Sequence, residues 1–190
     1  MIRTRFIRRH FIEKAVREFR PTGKVLEVGS GKKWRYYPDS ITLNRDAAAE
    51  PDVIGDAENM KFEENRFDSV VCLEVIEHTP SPGKLISEIY RVVKPGGSLL
   101  LTVPFVFEIH DTYDYVRFTK QGLTHLLDDF SSVNIQPNGG KYCVIFHFLR
   151  LGVIGSVLFP LLNNLGYFLD LIFKSNDPRI TLGYTVVAIK

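Results

Sequence analysis

Val25-Leu26-Glu27-Val28-Gly29-Ser30-Gly31 is a short β-branched and apolar run that leads straight into a glycine turn. Residues 24–28 read as a buried strand. Glycine lets the backbone take φ > 0 and pass close to a ligand, and in open α/β sheets ligands sit beyond the carboxyl ends of the strands. A glycine pair of this kind is common in α/β proteins, so its surroundings must carry the argument. The dinucleotide pattern G-x-G-x-x-G would need glycine where Trp34 stands, which argues against a nicotinamide oxidoreductase.

Working outward, strands are predicted at 40–43, 52–54, 68–73, 98–103, 133–136 and 184–189. Residues 4–19 place Phe6, Ile7, Phe11, Ala15, Val16 and Phe19 at helical spacing with arginines on the other side. Ser81-Pro82 reads as a helix start, with serine as N-cap and proline at the first helical position. Leu85, Ile86, Ile89, Tyr90 and Val93 mark that helix's apolar face, and Lys94-Pro95-Gly96-Gly97 ends it. Thr119 caps a helix carrying Leu123, Leu126, Leu127 and Phe130. Strands alternating with helices indicate βαβ units. The expected fold is α/β: a doubly wound, seven-stranded, mostly parallel sheet in one domain over 1–190.

The chain has 190 residues, 45% hydrophobic and 24% charged, which is ordinary globular composition. A formal net charge of +2 gives no support for a nucleic-acid partner. The charge is uneven, because residues 1–20 carry seven basic side chains against Glu13 and Glu18. Two cysteines, Cys72 and Cys143, have no spacing that suggests a disulfide framework or a metal site. Cys72 lies in an apolar run and reads as core. Glu13, Lys14 and Arg17 interrupt any signal-peptide core. A reducing, cytoplasmic setting is the expectation, and no metal is expected.

The stretch 151–169 has no charged residue and is long enough to look like a membrane span. Pro160, Asn163, Asn164 and three glycines interrupt it, and the chain must afterwards return to the sheet. The segment 142–174 is therefore read as an apolar helical insertion, one or two helices packed on the domain or a homodimer face. A peripheral membrane contact is the sharper alternative, with the basic helix of residues 1–20 as its natural companion.

Glu27-x-Gly29-x-Gly31 resembles the first motif of the class I S-adenosylmethionine (AdoMet)-dependent methyltransferases. Gly55-Asp56-Ala57, Phe67 to Cys72, Glu74-Val75-Ile76-Glu77-His78, Arg91 to Gly97, and Leu99 to Pro104 resemble its later motifs in order. His110 with Asp114-Tyr115-Val116-Arg117-Phe118-Thr119 is similar to a segment of the type 11 subgroup. The resemblance covers about residues 22–135. It implies a Rossmann-like fold, AdoMet as cofactor, and methyl transfer to a small-molecule or lipid-linked acceptor.

The resemblance also implies roles. Glu27 would organise the loop and reach the methionine amino group. The backbone of Gly29, Ser30 and Gly31 would pass against the cofactor. Asn44 would contact the ribose, Asp56 and Ala57 the adenine, and Leu73 the methionine part. His78 and His110 are the imidazoles of the acceptor side and the candidate catalytic groups, since imidazole titrates near neutral pH. Asp114 and Arg117 are expected to pair. Tyr113 and Tyr115 would line an acceptor pocket or simply pack, and Trp34-Arg35-Tyr36-Tyr37 would form a lid or an ordinary surface loop. Two positions depart from the family pattern: Lys33 replaces its third glycine, and Asn44 replaces the ribose-binding acid. They keep open a non-catalytic cofactor-binding or interaction module with a degenerate site.

Overall fold

The computed structural model describes residues 7–149, 152–175 and 177–190. Seven strands form one sheet: β1 (Val25–Val28), β2 (Ile41–Asn44), β3 (Val53–Ile54), β4 (Phe67–Leu73), β5 (Val93–Pro104), β6 (Ser132–Pro137) and β7 (Gly183–Ile189). Their order is β3-β2-β1-β4-β5-β7-β6. The first five run parallel, while β7 is antiparallel to both β5 and β6. The chain grows outward from β1 in one direction, then returns to lay β4 on its other side. That reversal puts the carboxyl ends of β1 and β4 next to each other.

Among the described residues the α-helices are α1 (Ile7–Glu18), α2 (Pro82–Val92), α3 (Lys120–Leu126), α4 (Lys141–Phe148) and α5 (Gly152–Ile172). Strands covered on both faces need apolar side chains at successive positions. On β5, Leu99, Leu101 and Val103 pack with Leu85, Ile89 and Leu123 of α2 and α3. Leu100 points the other way and packs with Ala15 of α1 and with Phe19. A third cluster joins Ile7 and Phe11 of α1 to Cys143 and Val144 of α4 and to Leu182. Both cysteines are buried and free.

Local expectations hold with some corrections. Thr119 caps α3, its hydroxyl accepting from the Gly122 N–H. Pro82 does open α2, but the Ser81 hydroxyl makes no capping bond; the Ser81 N–H instead donates to Glu58 at 3.0 Å. Lys94-Pro95-Gly96-Gly97 follows the helix as expected but folds as an irregular start to β5. Gly96 sits there at φ 76°, and the pairing with β4 shifts register between Phe67 and Ser69.

The 142–174 insertion is two helices packed against each other, and α5 continues through position 160 despite the proline. Among the described residues, no helix is long and apolar enough to cross a membrane. Asp170 of α5 is buried, and its carboxylate accepts from the N–H groups of Gly140, Tyr142 and Cys143 at 2.7, 3.1 and 3.0 Å. These are donors that the first turn of a helix leaves unsatisfied. Asp170 thus joins α5 to the start of α4. Replacing it with alanine should destabilise the fold by about 1–3 kcal/mol or more and speed amide exchange at residues 140–143. Denaturant unfolding and hydrogen exchange check this, and an unchanged midpoint would refute it.

Candidate functional site

A cavity of about 550 Å³ opens at the carboxyl ends of β1 and β4, where the strand order reverses and α/β sheets hold ligands. Glu27, Val28, Gly29 and Ser30 form its wall from β1, and Val71, Leu73 and Glu74 its wall from β4. Phe107, Glu108 and His110 come from the segment after β5. Arg8, Arg9 and Ile12 of α1 close it on another side, with Trp34 and Tyr36 completing the rim.

Gly29 stands at φ 76°, and a Cβ there would lie 2.3 Å from Val75 Cγ2. Its carbonyl accepts from the Asn44 amide at 3.0 Å, while Asn44 Oδ1 accepts from the Asp46 N–H. Asn44 therefore ties the β1 turn to the end of β2 with both ends of its side chain, and it does not line the cavity. Gly31 has an extended backbone, φ −158°. Its role is close approach, because a Cβ would lie 2.0 Å from the Ala49 carbonyl oxygen. Ser30 Oγ donates to the Trp34 carbonyl at 2.8 Å. Lys33, the first departure from the family pattern, lies in a short turn outside the cavity.

Glu27 is buried, with 1% of its surface exposed. Its carboxylate accepts from the Tyr36 and Tyr37 N–H groups, at 3.0 and 2.8 Å, and from Ser40 Oγ at 2.6 Å. It therefore fastens the 36–40 segment beside the cavity, giving Trp34 and Tyr36 a firm base at the rim. Burial, and then Glu27, push the Tyr37 phenol up to about 12, and its hydroxyl donates to the Val16 carbonyl on α1. Of the residues expected to bind the cofactor, Glu27, Gly29, Ser30 and Leu73 line the cavity. Gly31, Asn44, Asp56 and Ala57 lie outside its lining; Asp56 Oδ1 accepts from the Glu58 N–H at 2.9 Å, and Ala57 packs on the main core.

A polar cluster lies on the β4 side. Glu74 has φ 57°, a sparsely populated conformation that non-glycine residues adopt at a cost. It forms an ion pair with Arg8 Nε at 3.1 Å, and the Arg8 guanidinium lies 4.1 Å over the Phe107 ring. The Glu77 side chain is 1% exposed, and His78 and His110 are 20% and 21% exposed beside it. The two imidazole rings are 4.9 Å apart. Asp114 makes a bidentate pair with Arg117, as expected, and lies 3.2 Å from His110 Nδ1. Tyr113 and Tyr115 stack on each other, half exposed, away from the cavity lining.

Burial, then the neighbouring Glu74, raises the Glu77 carboxyl well above the ordinary range. Burial also raises Glu74, against the pull of Arg8. Desolvation, then Arg8, lowers His110, which favours its neutral imidazole. Sequence reasoning missed the roles of Arg8, Glu74 and Glu77. The two acids stand within four residues of His78, which was a usable signal; Arg8 reaches the site only through packing of α1.

The Arg117 guanidinium holds Asp114 down to about 2. A carboxyl depressed in the folded state contributes stability above its ordinary value, and that stability is lost as pH falls through the folded value. Asp114→Asn should therefore lower Tm at neutral pH, with the gap to wild type closing between about pH 4 and about pH 2. Melting curves across that range check this; a gap independent of pH would refute it.

Residues 35–101 match the family model described as a methyltransferase domain. The chain is 36% identical to a ubiquinone biosynthesis O-methyltransferase of Dechloromonas aromatica over 28% of its own length and 31% of that protein. It is 42% identical to a sterol 24-C-methyltransferase of Saccharomyces cerevisiae over 33% of its own length and 15% of that protein. The chain thus spans under a third of the length of either relative. The crystal structure of a SAM-dependent methyltransferase from Archaeoglobus fulgidus superimposes with TM-score 0.64 at 16% identity, covering 98% of this chain and 95% of that one. A phosphoethanolamine N-methyltransferase 2 of Haemonchus contortus in complex with S-adenosyl-L-methionine gives TM-score 0.57 at 17% identity, over 96% of this chain and 52% of that one. The [4+2]-cyclase SpnF superimposes at TM-score 0.61 and 14% identity, over 95% and 80% of the two chains. The shared fold does not by itself fix a reaction.

Proposed function

We propose that this chain, which belongs to the class I AdoMet-dependent methyltransferases with a type 11-like core, moves a methyl group from AdoMet to a small-molecule or lipid-linked acceptor. The observation that carries the reading is the cavity at the β1/β4 reversal, entered by a glycine turn whose Gly29 would clash if it bore a Cβ. Its volume is within the roughly 300–1,000 Å³ of small-molecule sites.

AdoMet supplies a methyl carbon already activated by its sulfonium, so the protein mainly positions the reactants. Alignment alone can contribute roughly 7–11 kcal/mol. The Gly29–Ser30 backbone would run along the cofactor, with the Glu27 carboxylate drawing its ammonium group and Leu73 covering its methionine chain. Asp56, Ala57 and Asn44 would serve the adenosine end, Asn44 through the turn it braces. The acceptor belongs on the side of Phe107 and His110, where the neutral imidazole can hold or deprotonate an acceptor hydroxyl. Lys33 outside the cavity supports a working site over a degenerate one.

Calorimetry with S-adenosylhomocysteine tests this, with NADH as the control ligand. Micromolar binding of the former alone is expected. Gly29→Arg should abolish it, and Asp56→Ala should weaken it about 10- to 100-fold, with the circular dichroism of the Asp56 variant unchanged. Binding of neither ligand would leave the non-catalytic module as the better reading.

The acceptor's class is suggested by the outer face of the insertion. Leu158, Leu161, Leu165, Phe168 and Leu171 of α5 recur at three- and four-residue spacing, all exposed. Ile145, Phe148 and Leu149, in α4 and just after it, are exposed as well. No acidic or basic residue occurs from 151 to 169, while Lys141 and Lys174 flank the stripe. An apolar stripe with basic flanks suits shallow insertion into an anionic bilayer. His147 of α4 stacks on Phe107 of the cavity wall at 4.6 Å, so such a surface would adjoin the acceptor side. Co-sedimentation with phosphatidylglycerol vesicles, falling as salt rises, is expected. Leu161→Glu with Phe168→Glu should reduce it at least about 10-fold. No vesicle binding, with mass doubling as concentration rises, would assign the face to a homodimer instead.

A further inference from the structure

We infer that Glu77, His78 and His110 form a two-histidine, one-carboxylate binding site for a divalent transition-metal ion.

The carboxylate lacks what a buried acid needs. Both Glu77 side-chain oxygens are buried without a hydrogen-bond partner elsewhere among the described residues, a condition that costs free energy unless another group compensates. The two imidazoles do not supply the missing bonds. His78 Nε2 and His110 Nε2 lie 3.6 and 3.8 Å from Glu77 Oε1, beyond hydrogen-bond range. Those distances suit a different arrangement. Ligand bonds of about 2.0–2.1 Å at tetrahedral angles put ligand atoms about 3.3–3.4 Å apart. Here two of the three separations are within about half an ångström of that value, and one ligand atom from each residue lies within 4.8 Å of the others.

The surroundings orient both rings. His78 Nδ1 faces the Tyr113 carbonyl. A carbonyl can only accept, so Nδ1 carries the proton and the neutral ring's lone pair is on Nε2. His110 Nδ1 is 3.2 Å from Asp114 Oδ2, a carboxylate that Arg117 holds in place. A metal-bound imidazole typically gives its other ring N–H to a carbonyl or carboxylate in this way, which fixes the tautomer and the ring's direction. Arg8 and Arg117 pair with Glu74 and Asp114, and a bound metal ion would hold Glu77 in its charged form.

Two imidazoles and one carboxylate suit Zn²⁺, Co²⁺ or Fe²⁺ better than Mg²⁺ or Ca²⁺, which prefer oxygen ligands. Three protein ligands leave a coordination position open, and His110 lines the cavity. A hydroxyl or carboxylate of the acceptor would fill that position, and the cation would lower a bound hydroxyl's pKa. This last step rests on the methyltransferase reading. The metal binding does not. Ligation uses the same His110 lone pair as proton abstraction, so the metal-loaded protein would activate its acceptor through the cation.

Co²⁺ is the probe, added to chelator-stripped protein without cofactor or acceptor. Visible absorption of bound Co²⁺ and calorimetry should report one ion per chain, displaced by Zn²⁺ and not by Mg²⁺. His110→Ala, a change in the loop after β5, and Glu77→Gln should each abolish the visible bands while circular dichroism stays unchanged. Asp114→Asn should weaken binding about 10- to 100-fold. Absence of Co²⁺ and Zn²⁺ binding, or binding that survives both His110→Ala and Glu77→Gln, would overturn the proposal. Because S-adenosylhomocysteine binding is measured separately, failure of the metal site and failure of the methyltransferase reading are distinguishable.

Discussion

A parallel sheet built outward in both directions from its first strand must leave one pair of neighbouring strands whose connections depart to opposite sides. Here that pair is β1 and β4. Nothing in the sheet itself can cover their carboxyl ends, so a cleft follows from the strand order alone. The rest of the site is what the chain places around it. The Gly29 turn enters it from β1, Glu74 turns out of β4, and the loop after β5 closes the far side.

Buried carboxylates do much of the placing, through the same physics. A buried acid is costly unless it is hydrogen-bonded or paired, so each one fixes whatever satisfies it. Glu27 fastens residues 36–40 to β1. Asp170 fastens the start of α4 to α5. Asp114 holds Arg117 and stands beside His110. Glu77 breaks the pattern: it is as buried as the others, yet its oxygens find no hydrogen-bond partner elsewhere among the described residues. A buried acid left without partners beside a cleft is a candidate functional group, because nearly all buried polar groups are hydrogen-bonded.

The N-terminal helix links two parts of the molecule. Its apolar side covers the sheet through Ala15 and meets α4 through Phe11. Its arginines are not merely solvated, since Arg8 crosses the cavity mouth to Glu74 and rests on Phe107. A ligand entering there must share space with, or displace, that ion pair. The helix is thereby coupled both to the cavity and to the apolar insertion beside it.

The sequence alone determined the strands, their alternation with helices and the glycine turn, because these depend on local propensity and on periodicities of two and 3.6 residues. Its ordered motifs also pointed to Glu27, Leu73 and His110, which line the cavity, and to His78, which stands beside His110. Only the tertiary structure decided which of these face one another. Asn44 and Asp56 carry the right chemistry for a ligand, yet Asn44 bonds the Gly29 carbonyl across the sheet and the nearby Asp46 N–H, and Asp56 accepts from the nearby Glu58 N–H, a competition that motif spacing does not reveal. Arg8 and Glu74 meet across 66 positions of chain, and His78 faces the carbonyl of Tyr113 from a separate loop. Contacts of that kind are fixed by how helices and loops pack on the finished sheet, and no local pattern in the chain encodes them.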